Sequence, residues 1–226
     1  WAALEASGNA RFPFPPRGRI PNFAGAEAAA ERLADTDEWD DAATIKANPD
    51  APQLPVRRAA LRAGKTVYMA VPRLRDERCF LELDPDRLDP ASYDAAPTVS
   101  HVEEYADQVG PEALPPVDLV VCGSVAVTES GARVGKGEGY SDLEYAVLRE
   151  LGLVGEATTV ATTVHELQVV ERASVAAHDV PMDLVATPER VVRTETAFER
   201  PAGIDWEMLG EERLAEIPVL ERLRSR

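Results

Sequence analysis

The apolar run Val117 to Val127 leads into Gly131-Ala132-Arg133-Val134-Gly135-Lys136-Gly137-Glu138-Gly139-Tyr140-Ser141-Asp142, and an apolar-periodic segment from Leu143 to Leu151 follows. In that order the three read as a central strand, a glycine-rich loop and a helix, the repeating unit of an α/β fold. The same order is the setting of a phosphate site. Gly135, Gly137 and Gly139 at alternate positions let the backbone turn N–H groups toward one anion, the helix start adds the positive end of its dipole, and Lys136 adds a full charge. Asp142, where the helix should begin, suits either a cap or a metal ligand. The spacing from Gly131 to Lys136, with glycine after the lysine, is not a Walker A loop, and G-x-G-x-x-G does not fit either. A plain chain reversal therefore stands beside the phosphate reading.

Composition favours the phosphate. Lys46, Lys65 and Lys136 are the only lysines among 24 basic residues, so arginine is the default cation of this chain. A compact ammonium suits a phosphate as a point charge, where a guanidinium demands a planar fork.

The 226 residues suffice for one large domain, or one domain with a tail. Forty acidic residues give a net charge of −16, which repels nucleic acid backbones and anionic membranes and resembles adaptation to high salt. Cys79 and Cys122 lie in or beside apolar runs without metal spacing and are expected as buried free thiols. No apolar run approaches the ~20 residues of a membrane span, and a cytoplasmic protein is expected.

Residues 1–25, dense in Pro, Gly and Arg, are expected as an extended arm. Residues 26–198 form the α/β domain: a helix from Ala26 to Trp39, a short strand at Ala43 to Ile45, and a helix from Leu54 to Ala63 whose Arg57, Arg58 and Arg62 read as a solvated face. Strands are expected at Lys65 to Val71, Cys79 to Leu83 (half-exposed), Thr158 to Val164, Asp183 to Thr187 and, at an edge, Arg190 to Thr194. Residues 199–226 read as a charged helical tail that either docks on the domain or mediates self-association.

Several ordered motifs carry a resemblance. Val117 to Gly123, Gly131 to Asp142 and His178-Asp179-Val180-Pro181-Met182-Asp183 resemble the 5-formyltetrahydrofolate cyclo-ligase (methenyltetrahydrofolate synthetase) family. Arg19-Ile20-Pro21-Asn22-Phe23, Lys46-Ala47-Asn48-Pro49-Asp50 and Gly123-Ser124-Val125-Ala126-Val127 are similar to its methenyltetrahydrofolate synthetase domain-containing branch, over Arg11 to Thr194 in all. The resemblance implies a three-layer α/β fold with a mostly parallel sheet, of the sugar-phosphate isomerase and CoA-transferase type. It also implies ATP-dependent closure of 5-formyltetrahydrofolate to 5,10-methenyltetrahydrofolate, with ATP and Mg²⁺ as cofactors.

Carried over by position, Arg133, Val134, Gly135, Lys136, Gly137, Glu138, Gly139, Tyr140 and Ser141 would contact ATP, with Lys136 and Tyr140 at the reacting groups. Asp50, Cys79, Phe80 and Tyr140 would border the folate, and Asp142 with Asp179 would hold the metal. Partners implied are a small folate and ATP, with no nucleic acid or membrane, in a monomer or weak homo-oligomer. Glu138 places a negative charge beside the phosphates if it faces inward, but alternating glycines favour an outward direction. Glu138, Ser141 and Asp50 depart from the family pattern and motivate the alternative of a nucleotide- or folate-binding regulatory protein without turnover. His165 reads as a satisfied core histidine and His101 as surface.

Overall fold

Leu119 to Cys122 is buried at every position, and its side chains divide strictly: Val120 and Cys122 join one hydrophobic cluster, Leu119 and Val121 another. A strand with two apolar faces must be covered on both, so its sequence already specifies helices above and below the sheet. The computed structural model, described for residues 1–225, shows that arrangement.

In chain order the elements are α1 (Ala2–Ala6), β1 (Ala10–Arg11), β2 (Asn22–Phe23), α2 (Ala26–Ala34), α3 (Asp37–Asp41), β3 (Thr44–Ala47), α4 (Leu54–Arg62), β4 (Thr66–Ala70), β5 (Phe80–Leu83), α5 (Val102–Tyr105) and β6 (Asp107–Val109). There follow β7 (Leu119–Cys122), β8 (Ala126–Val127), β9 (Arg133–Val134), α6 (Tyr140–Glu150), β10 (Thr159–Thr163), β11 (Leu184–Ala186), β12 (Val191–Arg193), α7 (Glu211–Glu216) and α8 (Pro218–Arg224). The eight-stranded sheet runs β12-β11-β10-β7-β3-β4-β5-β6. Its five central strands are parallel, while β12, β5 and β6 pair antiparallel at the flanks. On one face lie α2 and α4, with Leu33, Val56 and Leu61 buried, and on the other α6 and α8, with Val147, Leu148 and Leu220 buried. The expected three-layer, mostly parallel architecture is present.

Local expectations needed correction. Residues 1–25 are not simply extended: α1 and the β1–β2 ribbon pack Leu4, Ala10 and Phe23 against Ala26 and Ala29 of α2. The helix expected from Ala26 to Trp39 breaks at Asp35, because the Thr36 side chain accepts the Trp39 N–H and caps a new helix. The run Val117 to Val127 is two strands, since the chain leaves the sheet at Gly123 and pairs β8 with β9 in a separate ribbon. The strand beginning near Cys79 is mostly buried rather than half-exposed, because β6, with no strong apolar signal, shields it from the sheet edge. The tail docks: Leu214, Ile217, Val219, Leu220 and Leu223 are buried in the cluster that includes α6. No helix among the described residues is long and apolar enough to cross a membrane.

Candidate functional site

From β3 the sheet grows in both directions, to β4 on one side and to β7 on the other. At such a reversal the loops leaving adjacent strands part company, and the crevice beyond their carboxyl ends is where open parallel sheets bind ligands. A cavity of about 270 Å³ occupies that position, lined by Asn48 and Asp50 after β3, Gly123 after β7, Arg133, and Lys136 and Glu138 to Asp142 of the glycine loop and helix start.

Its floor is a buried ion pair. Lys46, fully buried, donates from Nζ to Glu144 Oε2, and Asn48 Nδ2 donates to the same oxygen at 3.2 Å. Asn48 Oδ1 in turn accepts from the Gly123 amide at 3.2 Å and from Ser141 Oγ at 3.0 Å. One asparagine thus ties the ends of two neighbouring strands to the first turn of α6.

The Asn48-Pro49-Asp50 corner is fixed from behind by Arg57. This buried guanidinium donates to the carbonyls of Asn48, Asp50, Pro49 and Pro97 at 2.5, 3.1, 3.2 and 3.0 Å. Arg57 therefore does not share the solvated face expected of it, whereas Arg58 and Arg62 do, meeting Asp94 at the surface. Burial pulls the Arg57 pKa down to about 9, which leaves it cationic at neutral pH. Burial pushes the Asp50 carboxyl upward, and Lys136 across the cavity pulls it back only in part. Gly123 makes this corner possible: a Cβ there would stand 2.7 Å from Asp50 Oδ2 and 3.0 Å from Ile20.

On the loop side, Arg133 Nη2 donates to Asp142 Oδ1 and Nη1 to the Gly123 carbonyl at 3.1 Å. Its Nε is buried without a hydrogen-bond partner, an open donor on a residue that lines the cavity. Lys136 Nζ lies 2.9 Å from Glu138 Oε2, both side chains more than a third exposed. Glu138 is among the residues that line the cavity, and its exposed carboxylate pairs with Lys136. Gly139 enters α6 with φ of 68°, a left-handed start that glycine adopts without strain. Tyr140 also lines the cavity, with the Arg213 guanidinium 4.8 Å from its ring centroid.

The remaining expected residues divide. Val134 and Gly137 do not line the cavity. Cys79 and Phe80 are fully buried behind it: Phe80 pairs in register with the wall residue Ala70, and burial pushes the Cys79 thiol up to about 12, so it is neutral. Asp179 closes a local turn by accepting the Ala176 amide at 2.7 Å, and the next residue, Val180, donates its N–H to Asp142 Oδ1 at 3.0 Å. The two aspartates are brought onto adjacent segments, but Asp142 Oδ1 is already committed to Arg133 and Val180. Among the described residues no group of three or more His, Cys, Asp or Glu is placed to hold a metal ion. The carboxylates as arranged do not make a resident magnesium site. Sequence reasoning missed Asn48, Glu144, Ile20 and Arg73 as lining residues. Ile20 and Asn48 lie inside motifs that carry the family resemblance, and Glu144 left the signal of a charge between the core residues Leu143 and Tyr145 of α6.

A family model described as the 5-formyltetrahydrofolate cyclo-ligase family matches residues 11–188. The chain belongs to this family. Among cyclo-ligase family relatives, a methenyltetrahydrofolate synthase domain-containing protein of Danio rerio is 39% identical over 227 residues, covering 100% of this chain and 59% of that protein. Its counterpart in Mus musculus is 42% identical over 228 residues, covering 100% and 61%. The chain thus spans about three fifths of the length of the curated relatives it matches. The solved Aquifex aeolicus 5,10-methenyltetrahydrofolate synthetase superposes with a TM-score of 0.51 at 20% identity, over 77% of this chain and 84% of that one, and so shares the fold.

Proposed function

We propose that this chain closes 5-formyltetrahydrofolate to 5,10-methenyltetrahydrofolate at the expense of ATP. The observation that carries the reading is the glycine loop itself, which walls the switch-point cavity of a cyclo-ligase family member with Arg133, whose buried Nε–H has no protein partner, and a rim lysine. The formyl oxygen attacks the γ-phosphorus and ADP departs. The neighbouring folate nitrogen then bonds to the formyl carbon, the carbon–oxygen bond breaks, phosphate leaves and that nitrogen loses its proton.

Such a reaction asks for neutralised phosphoryl charge and fixed positions more than for a strong base. In this reading Lys136, Arg133 and the amides from Gly135 to Ser141 take the phosphates. Tyr140 presents its ring to the heterocycle, and Asp50 takes the ring's N–H donors. Cys79 and Phe80 act only by backing the Ala70 wall. Mg²⁺ would come as a chelate of the ATP phosphates and neutralise their charge, brought by the nucleotide rather than held by Asp142 and Asp179, whose oxygens already serve Arg133, Val180 and Ala176. The setting is cytoplasmic, with no nucleic acid or membrane partner, in a monomer or weak homo-oligomer. One observation favours a second reading, a nucleotide- or folate-binding regulator without turnover: Lys136 already has an anionic partner in Glu138. The test is absorbance-monitored conversion of 5-formyltetrahydrofolate with MgATP in high salt. Methenyl product in step with ADP supports the ligase, whereas a folded, ATP-binding chain that forms none supports the regulator.

A further inference from the structure

The family match ends at residue 188, yet the helices beyond it reach back to the glycine loop. Docking of Leu214, Ile217 and Leu220 beside Leu143 and Val147 brings Arg213, in the first turn of α7, against the start of α6. Its Nη2 donates to the Glu138 carbonyl, and its guanidinium carbon lies 4.8 Å from the centroid of the Tyr140 ring. Between those two residues, a Cβ on Gly139 would stand 3.6 Å from Arg213 Nη2 and 3.8 Å from Nη1, so the guanidinium packs closely against the loop. In a chain of net charge −16, Arg213 has no carboxylate partner within salt-bridge distance among the described residues. Its Nε is buried without a hydrogen-bond partner, and the contacts its guanidinium makes are to one carbonyl and one ring, both belonging to residues that line the cavity.

Peptide geometry gives this contact a direction. In a trans peptide the C=O and the following N–H point opposite ways, so holding the Glu138 carbonyl toward the tail turns the Gly139 N–H away from it. We propose that Arg213 is a positioning residue of the glycine loop, fixing the Glu138–Gly139 peptide and the Tyr140 ring so that the loop receives phosphate in a preset shape. The inference rests on the reading of this loop as the ATP phosphate site. The C-terminal helices are then part of the active site's construction although none of their side chains need touch the reacting atoms.

The test uses the folded chain well below its melting temperature and an endoproteinase that cuts after lysine. Lys46 and Lys65 are buried, 0% and 8% exposed, which leaves Lys136 as the accessible cleavage point. Cleavage there reports how often the loop opens. Arg213→Ala should be cut about three- to tenfold faster at Lys136 and bind ATP more weakly by a similar factor, the scale of one carbonyl hydrogen bond plus one cation–π contact. Arg213→Lys, which keeps a donor but lacks the planar face, should fall between and serves if the alanine variant does not fold. Arg222→Ala removes a tail arginine that pairs with Glu112 away from the loop, and should behave as wild type. Wild-type cleavage and ATP affinity in Arg213→Ala would overturn the proposal, as would equal acceleration by Arg222→Ala. A wild-type chain that binds no ATP refutes the phosphate reading instead, while the cleavage comparison still judges the positioning role.

Discussion

Two lysine–glutamate pairs serve one cavity, one buried in its floor and one exposed on its rim. Lys46 and Glu144 are 0% and 6% exposed, with Asn48 Nδ2 donating to the same Glu144 oxygen, while Lys136 and Glu138 are 37% and 43% exposed and, among the described residues, their side chains bond to no residue of the floor. Desolvation makes the buried pair expensive to form and more expensive to break, because removing one member strands the other's charge. The rim pair, bathed in a high dielectric, is worth little and exchanges partners readily. The same two residue types therefore do opposite work. The floor fixes where two strand ends and α6 meet, and the rim leaves a cation that an incoming phosphate can take from Glu138.

The comparison breaks most visibly at the floor. Lys46→Met should destabilise the fold by about 3–5 kcal/mol in chemical denaturation, and adding Glu144→Leu should recover most of it. A loss below the surface-pair scale would show that Glu144 finds water or another partner. Next in size, Asn48→Ala removes the amide shared by Glu144, Gly123 and Ser141 and should cost about 1–3 kcal/mol in the same measurement.

Asp50→Asn should act with the opposite sign. Burial raises the Asp50 carboxyl in the fold above its unfolded value, so the folded state holds the proton longer and stability declines as pH rises through the folded value. The asparagine variant should thus melt higher than wild type at pH 7, lose that advantage below the ordinary carboxyl range, and fail to bind folate. An unchanged melting profile would mean that Asp50 is better hydrated than its burial implies. Smallest of all, Glu138→Gln should tighten metal-free ATP by about 0.5–1 kcal/mol, the worth of an exposed pair, with stability unaltered. Weaker ATP binding would mean that Glu138 orients Lys136 rather than competing for it.

Much of this was legible in sequence, and for physical reasons. A strand as apolar as Leu119 to Cys122 admits only a covered, mostly parallel sheet, and the glycine-lysine alternation marks the loop because lysine is rare in this chain. The rest depends on contacts between distant segments. Nothing near Arg57 predicts that it will be swallowed by four carbonyls, since the chain around Pro97 supplies one of them from 40 residues away. Asn48 looks like a turn residue until Gly123 and Ser141 are brought to it. The break at Gly123 was hidden because apolar content continues across it to Val127, while at Asp35 the boundary is set by the Thr36 side-chain cap inside the polar run Asp35 to Glu38; neither a change of sheet nor a cap is a matter of hydropathy. The second role of the tail was illegible for the same reason, as Arg213 is one arginine among many until the fold sets it over Tyr140.

The claim on which the account turns is that the rim lysine is free to hold phosphate. Calorimetric titration of ATP into wild type and Lys136→Ala tests it directly, with a denaturation curve alongside to confirm that the fold is intact. The account predicts affinity weaker by about 1.5–3 kcal/mol, the scale of a charge-assisted hydrogen bond, with stability changed by no more than about 0.5 kcal/mol. Equal ATP affinity in the two proteins would contradict it and reduce the glycine loop to a turn.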